Sequence, residues 1–182
     1  MWKGFGTVDD RIELTEYNPE WPAVFTAESE RIRASCGPAL MAIEHIGSTA
    51  LHGIAAKPVL DLMLGVARLE DADELVSPMC ALGYEYAGRY EVFGRFSFVL
   101  RMHGRRVSHA HGFVLDGPHW RRHLFFRDHL RSHPEAAARY ESLKRKLAAR
   151  YQGDREAYSE GKTPFLRSIE GLARRRRRKP SR

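Results

Sequence analysis

The chain has 182 residues, 43% of them hydrophobic and 10% aromatic; this suits one globular domain burying roughly 70% of its extended-chain surface and excludes collagen-like or low-complexity architecture. Its formal net charge of +7 comes from the seven basic groups of residues 174–182, RRRRRKPSR, since the remainder balances 23 Lys/Arg against 23 Asp/Glu. No apolar run reaches the ~18 residues of a membrane span, and the opening MWKGFGTVDD holds no apolar stretch of the secretory kind.

Ile12–Tyr17 alternates and predicts a short strand. Asn18-Pro19 supplies an N-cap and first-turn proline for a helix ended by Gly37-Pro38. Its apolar face is Trp21, Val24, Phe25 and Ile32, with Glu28, Glu30, Arg31 and Arg33 mostly outward. Leu40–Ile46 predicts a strand, followed by a Gly-Ser turn, a linker of small residues and an apolar strand over Val59–Val66. A helix over Asp71–Leu82 closes at Gly83, and three strand-like runs follow: Tyr84–Tyr90, Phe93–Met102 and Val107–Leu115. The rest is helical. Ser132-x-x-Glu135 with Pro134 has the form of a capping box, and Ala136, Tyr140, Leu143, Leu147 and Tyr151 mark one helix face. A last helix covers Tyr158–Ala173, with Pro164 at its start or at a kink. The order predicts an α+β domain (an α/β-type mixed sheet with C-terminal helices) over residues 1–173, and a disordered basic tail over 174–182.

Residues 1–88 carry six Lys/Arg against fourteen Asp/Glu, whereas residues 89–139 carry ten arginines against four acids and seven of the nine histidines. Such a segment suits an anionic ligand. The tail is read as a solvated run rather than a nucleic-acid arm, because no aromatic residue interrupts its arginines. Cys36 and Cys80 have no CxxC spacing, so unpaired thiols in a reducing cytoplasm are expected.

The densest chemical signal is His45-Ile-Gly-Ser-Thr-Ala50 followed by Lys57-Pro-Val-Leu-Asp61-Leu-Met63. Gly47 at a strand end lets backbone N–H groups approach an anion, and Ser48 and Thr49 add hydroxyls. Asp61 sits in an apolar strand and needs a cation or donors. His109 and His111 fall on one face of a strand, as metal ligands, a base, or ordinary hydrogen-bonding residues. Arg127, Arg131, Lys144 and Lys162 could converge on the Gly-Ser turn as a phosphate clamp or form ion pairs with Asp128, Glu141 and Glu160. His119/His123 and His129/His133 have i,i+4 zinc spacing but no further ligand, and are read as surface residues. Gly161-Lys-Thr163 is not a P-loop end, since Glu156 stands where the earlier glycine belongs.

A Gly-Ser turn followed by an aspartate on the next strand resembles the core motif of the nucleotidyltransferase superfamily. More closely, residues 12–172 resemble the GrpB family through Tyr17-Asn-Pro-Glu-Trp21, residues 45–64, Leu82-Gly-Tyr84, His109-Ala-His111, residues 126–144 and Tyr158-x-x-x-Lys162. The resemblance implies a nucleotidyltransferase-like core in which Asp61 holds Mg²⁺ over ATP or another nucleoside triphosphate. A nucleotidyl group would pass to, or adenylate, a small acceptor, with His109 or His111 as base or ligand. Active nucleotidyltransferases carry a second carboxylate two residues on; here that residue is Met63, a poor Mg²⁺ ligand. The alternative is therefore a non-catalytic nucleotide- or coenzyme-binding module assisting a partner enzyme such as dephospho-CoA kinase, to which family members occur fused. No membrane association is expected.

Overall fold

The computed structural model describes residues 1–8, 11–90 and 94–178. Five strands form one sheet: β1 (Ala42–Ile46), β2 (Leu60–Val66), β3 (Tyr84–Tyr90), β4 (Arg95–Met102) and β5 (Arg105–Val114), in the order β1-β2-β5-β4-β3. Central β2 and β5 run parallel and the other three pairings are antiparallel. This mixture follows from connectivity. The chain leaves β2 through α2 (Ala72–Ala81) and returns by a β3–β4–β5 meander, which brings β5 back in the direction of β2.

Alternation on β2 divides the two faces. Leu60, Leu62, Leu64 and Val66 join Phe96, Phe98 and Leu100 of β4 in a core covered by α1 (Trp21–Cys36) and α2. On the other face Met63, Ile46 and Phe113 pack on Trp120 of α3 (Pro118–Ser132). The Trp120 ring fills the space over Gly65, where an added Cβ would lie 3.0 Å from it. The helices α4 (Pro134–Arg150), α5 (Arg155–Gly161) and α6 (Thr163–Arg178) complete that side, and Leu130, Ala136 and Tyr140 enclose Leu51 and Ile54 of the β1–β2 connection. The result is the α+β architecture with a mixed sheet that the sequence predicts. Asp61 shares the α3 face with Met63 because residues two apart point the same way.

Several local expectations change. Ile12–Tyr17 makes one bridge, Thr15 to Ala56, rather than a strand. Helix α1 begins at Trp21 with Pro22 in its first turn, while Asn18 Oδ1 accepts from Glu20 N at 2.9 Å in a turn ahead of it. Ser132 does not cap α4, because its hydroxyl turns back to the Asp128 carbonyl at 2.8 Å in the last turn of α3. Pro164 starts a separate helix, which runs to Arg178, past the expected end at Ala173, so residues 174–178 are helical backbone. The rest of the expected tail, residues 179–182, lies outside the described residues, as does Phe93 at the start of the second of the three strand-like runs.

Glu28 is fully buried rather than outward. Its carboxylate accepts from Arg31 at 2.7 and 2.9 Å, and the Tyr84 hydroxyl donates to it at 2.8 Å. Tyr84 also lies 3.1 Å from Ser108 Oγ, which donates to the Leu60 carbonyl at 3.1 Å. Arg31 three residues on makes the burial tolerable, and the chain of polar contacts ties α1 to the residue preceding Asp61. Glu28→Ala leaves the Tyr84 hydroxyl and the Arg31 guanidinium without this acceptor and is expected to cost about 3 kcal/mol in urea unfolding. A loss below about 1 kcal/mol would show that the network does not support the fold.

Candidate functional site

Two neighbouring strands and one turn build the site around Asp61. Asp61 pairs in register with His109, and Met63 with His111, so the β5 imidazoles stand beside the β2 carboxylate. Asp61 Oδ1 lies 3.6 Å from His111 Nε2, and the two imidazole centroids are 3.8 Å apart. One ligand atom from each of Asp61, His109 and His111 falls within 4.8 Å of the other two. Burial alone would raise the Asp61 carboxyl, but the His111 contact and the charges of His109 and Lys57 outweigh it and hold its pKa below the ordinary value. Burial, with His111 alongside, pushes the His109 pKa well down despite Asp61.

Gly47 ends β1 at φ 70°, in the left-handed region that favours glycine. A Cβ there would lie 2.3 Å from Asp61 Oδ2, so the turn backbone and the carboxylate touch only because residue 47 has no side chain. Ser48 follows on the cavity wall, which it shares with Tyr140, whose hydroxyl pKa burial pushes up to about 12.

These groups open into a cavity of about 460 Å³. Gly47, Ser48, Lys57, Asp61, His109, His111, Arg127 and Lys162, all expected from the sequence, line it. So do Arg95, Arg106 and Arg155, which that reading missed; six Lys/Arg thus surround one carboxylate. Lys57 and Lys162 lie 5.0 and 4.5 Å from the centroid of the Tyr158 ring, whose π face partly compensates two like charges. Burial, then repulsion by Lys162 and Arg155, lowers the Lys57 pKa to about 8. Burial likewise lowers Lys162. Arg127 is already paired, with Glu44 at 2.6 Å and Asp128 at 2.8 Å.

Three expected residues are not brought to the cavity. Thr49 is buried against His45, with Oγ1 and Nε2 3.0 Å apart. Arg131 donates to the Ala50 carbonyl at 3.0 Å and lines a neighbouring cavity with Tyr17, Phe25 and His52. Lys144 is fully buried; its ammonium donates to the Ala55 carbonyl and sits 5.0 Å from the Tyr140 ring centroid, and burial pushes its pKa down to about 7. Glu141 on the same helix accepts from Ala55 N at 3.1 Å. Lys144 and Glu141 therefore position the loop that presents Lys57.

The histidines read as surface residues are not exposed: His123 lines the cavity, its Nδ1 2.8 Å from the His119 carbonyl, and His129 is buried. Burial lowers the His123 pKa to about 4. Gly161 has a packing role in place of the rejected P-loop role, since a Cβ would come 2.5 Å from Leu147. Arg106 was hidden by a β-bulge and Arg155 by its place at the start of the short polar helix α5; neither leaves a sequence signal beyond its charge.

Gly47→Ala is expected to destabilise the protein by about 1–2 kcal/mol through backbone strain alone, with a further loss from the displaced carboxylate. In a double-mutant cycle by urea unfolding, Asp61→Gly should recover that further loss. Strictly additive effects would show that the turn and the carboxylate are not in contact.

Comparison with known proteins agrees with this architecture. The family model described as GrpB protein matches residues 11–171. A UPF0157 protein of Pseudomonas aeruginosa is 41% identical over 169 residues, covering 91% of this chain and 69% of that protein. The crystal structure of conserved protein GrpB from Enterococcus faecalis superposes with a TM-score of 0.81 at 32% identity, over 92% of this chain and all of that one. A dephospho-CoA kinase of Mycolicibacterium paratuberculosis is 32% identical over 180 residues, but the match spans 86% of this chain and only 44% of the kinase. No helix among the described residues is long and apolar enough to cross a membrane. With the model match covering most of the chain and a solved relative sharing its fold, the chain belongs to the GrpB family.

Proposed function

We propose that the cavity binds a nucleoside triphosphate, ATP or another, and transfers its nucleotidyl group to a small acceptor or adenylates the acceptor's carboxylate. The observation that carries this reading is the convergence of six Lys/Arg on a single carboxylate beside a glycine turn. Positive charge held in a partly buried cleft costs stability unless an anion arrives, and the depressed Lys57 pKa records that cost. Lys57, Lys162, Arg106 and Arg155 would neutralise the phosphates, Gly47 and Ser48 would seat one of them, and Arg127 would close the wall. The acceptor's oxygen or nitrogen bonds to the α-phosphorus as the bond to the bridging oxygen breaks and pyrophosphate leaves; a carboxylate brings no proton and an alcohol or amine gives its proton to solvent, while the same cations stabilise the charge that gathers on the leaving group.

Magnesium, which the superfamily resemblance implies, does not fit the donor set. Mg²⁺ takes oxygen ligands in tight octahedral geometry, one or two carboxylates completed by phosphates and water, whereas two of the three side chains grouped to hold an ion at Asp61 are imidazoles. Met63, where a second carboxylate would stand, is fully buried against the apolar α3 face. No part of the reading depends on that ion.

The buried Met63 also favours a second reading, a non-catalytic nucleotide- or coenzyme-binding module serving a partner enzyme. The partial likeness to dephospho-CoA kinase makes that enzyme the first partner to test. Pyrophosphate release from ATP across a panel of amines, alcohols and carboxylates separates the two. Turnover that Lys162→Met reduces at least ~100-fold supports transfer; tight ATP binding with silence across the panel supports the module.

Lys57 gives a pH signature. A bound phosphate raises its pKa above the free value of about 8, so binding takes up a proton near and above that pH, and affinity falls as pH rises through 8. Isothermal titration with ATP in buffers of different ionisation enthalpy should show that uptake, and Lys57→Met should remove it. Proton release on binding would contradict the assignment.

A further inference from the structure

We propose that Asp61, His109 and His111 form a site for a late first-row divalent transition metal, such as Zn²⁺ or Co²⁺, that discriminates against magnesium. The inference deepens the proposed function and rests on it for the phosphate that would complete the coordination sphere. Capture of the ion by three side chains is nonetheless measurable with no nucleotide present.

The geometry is that of a three-ligand site with open positions. Around a tetrahedral zinc with bonds of ~2.0–2.1 Å, neighbouring ligand atoms lie about 3.4 Å apart. Asp61 Oδ1 and His111 Nε2 are already 3.6 Å apart, and the whole set lies within 4.8 Å, so side-chain rotation of about an ångström gathers the three. All are mounted on the paired central strands, Asp61 directly opposite His109 and His111 two residues on, so the backbone fixes their spacing. One carboxylate with two imidazoles is a donor set for transition ions, whereas hard magnesium favours oxygen. Three protein ligands leave a position facing the cavity, where the cationic wall would deliver a phosphate oxygen. A lone pair given to a cation is not available to a proton, so in the loaded protein both histidines act as ligands rather than as the base.

The wall also makes metal and anion interdependent. Lys57, Arg106 and Arg155 repel a free divalent ion, and a bound polyphosphate removes that repulsion, so each ligand should strengthen the other by the same factor.

The test is a cobalt titration of tag-free, chelator-treated full-length protein, read by visible absorption. One equivalent of Co²⁺ should produce ligand-field bands that a hundredfold excess of Mg²⁺ does not remove. His109→Ala, His111→Ala and Asp61→Asn should each weaken the ion at least ~10-fold. Absence of bands, displacement by magnesium, or full retention in both histidine variants would overturn the proposal. Since a variant could fail to fold, imidazole NMR of the wild-type protein gives an independent reading. Co²⁺ should shift the His109 and His111 resonances and leave exposed His103 in place; the opposite pattern overturns the site. Loss of the cobalt signal with ATP binding intact rejects the metal alone, and cobalt binding without ATP binding rejects the nucleotide reading alone.

Discussion

An ionised carboxylate on the central strand of an apolar sheet is the constraint around which this domain is arranged. Asp61 follows fully buried Leu60 and precedes fully buried Leu62, and its side chain keeps about a third of its exposure. Isolated charge in such surroundings costs several kcal/mol, and the neighbouring elements each answer part of that cost. β5 brings imidazoles at the opposing register positions, the β1 turn gives up a side chain so that its backbone can lie against the carboxylate, and Lys57 supplies charge from the connection between β1 and β2. On the other face of the sheet Glu28 meets the same problem differently. It is fully buried, and Arg31 and Tyr84 satisfy its carboxylate within the fold. One buried acid is stapled into structure; the other is left facing open space.

Much of this was legible in the residues themselves. A run of Val, Leu and Met marks strand β2, and alternation alone puts His109 and His111 on one side of β5. The Gly-Ser turn and Lys57 were visible because their residue types are unusual at such positions. What stayed hidden depended on partners distant in sequence. Nothing near Glu28 announces that Tyr84, 56 residues on, will donate to it. Lys144 reads as a phosphate clamp until the Ala55 carbonyl, 89 residues before it, is seen to take its ammonium. Arg131 is of the right type on the right helix, yet points to the adjoining cavity because Ala50 holds it there. Charge type is local information; the direction a long side chain takes is not.

Placement of the positive groups divides binding from support. Arg127 donates to the His45 carbonyl near the end of β1, and Arg131 and Lys144 donate to carbonyls of the β1–β2 connection, so the three hold the turn and the loop that present Gly47, Ser48 and Lys57. Lys57 and Lys162 instead share one aromatic ring and repel each other across it. A rigid frame fixed by the first group lets the second remain poised for an anion, the preorganisation on which electrostatic stabilisation depends.

A register shift between Leu100 and Arg101 sets Val107 as an extra residue in β5, so that both Val107 and Ser108 turn toward the α1–α2 core. Upstream of it the parity of the strand reverses, and Arg106 joins His109 on the cavity side. The His103-Gly104 turn, with both residues at positive φ, pins the hairpin at Met102 and Arg105 and prevents the offset from sliding away. Relatives that gain or lose a single residue between this turn and His109 would therefore exchange the side chain that meets the ligand while leaving the hydrophobic pattern almost untouched, a way for ligand preference to drift without loss of the fold.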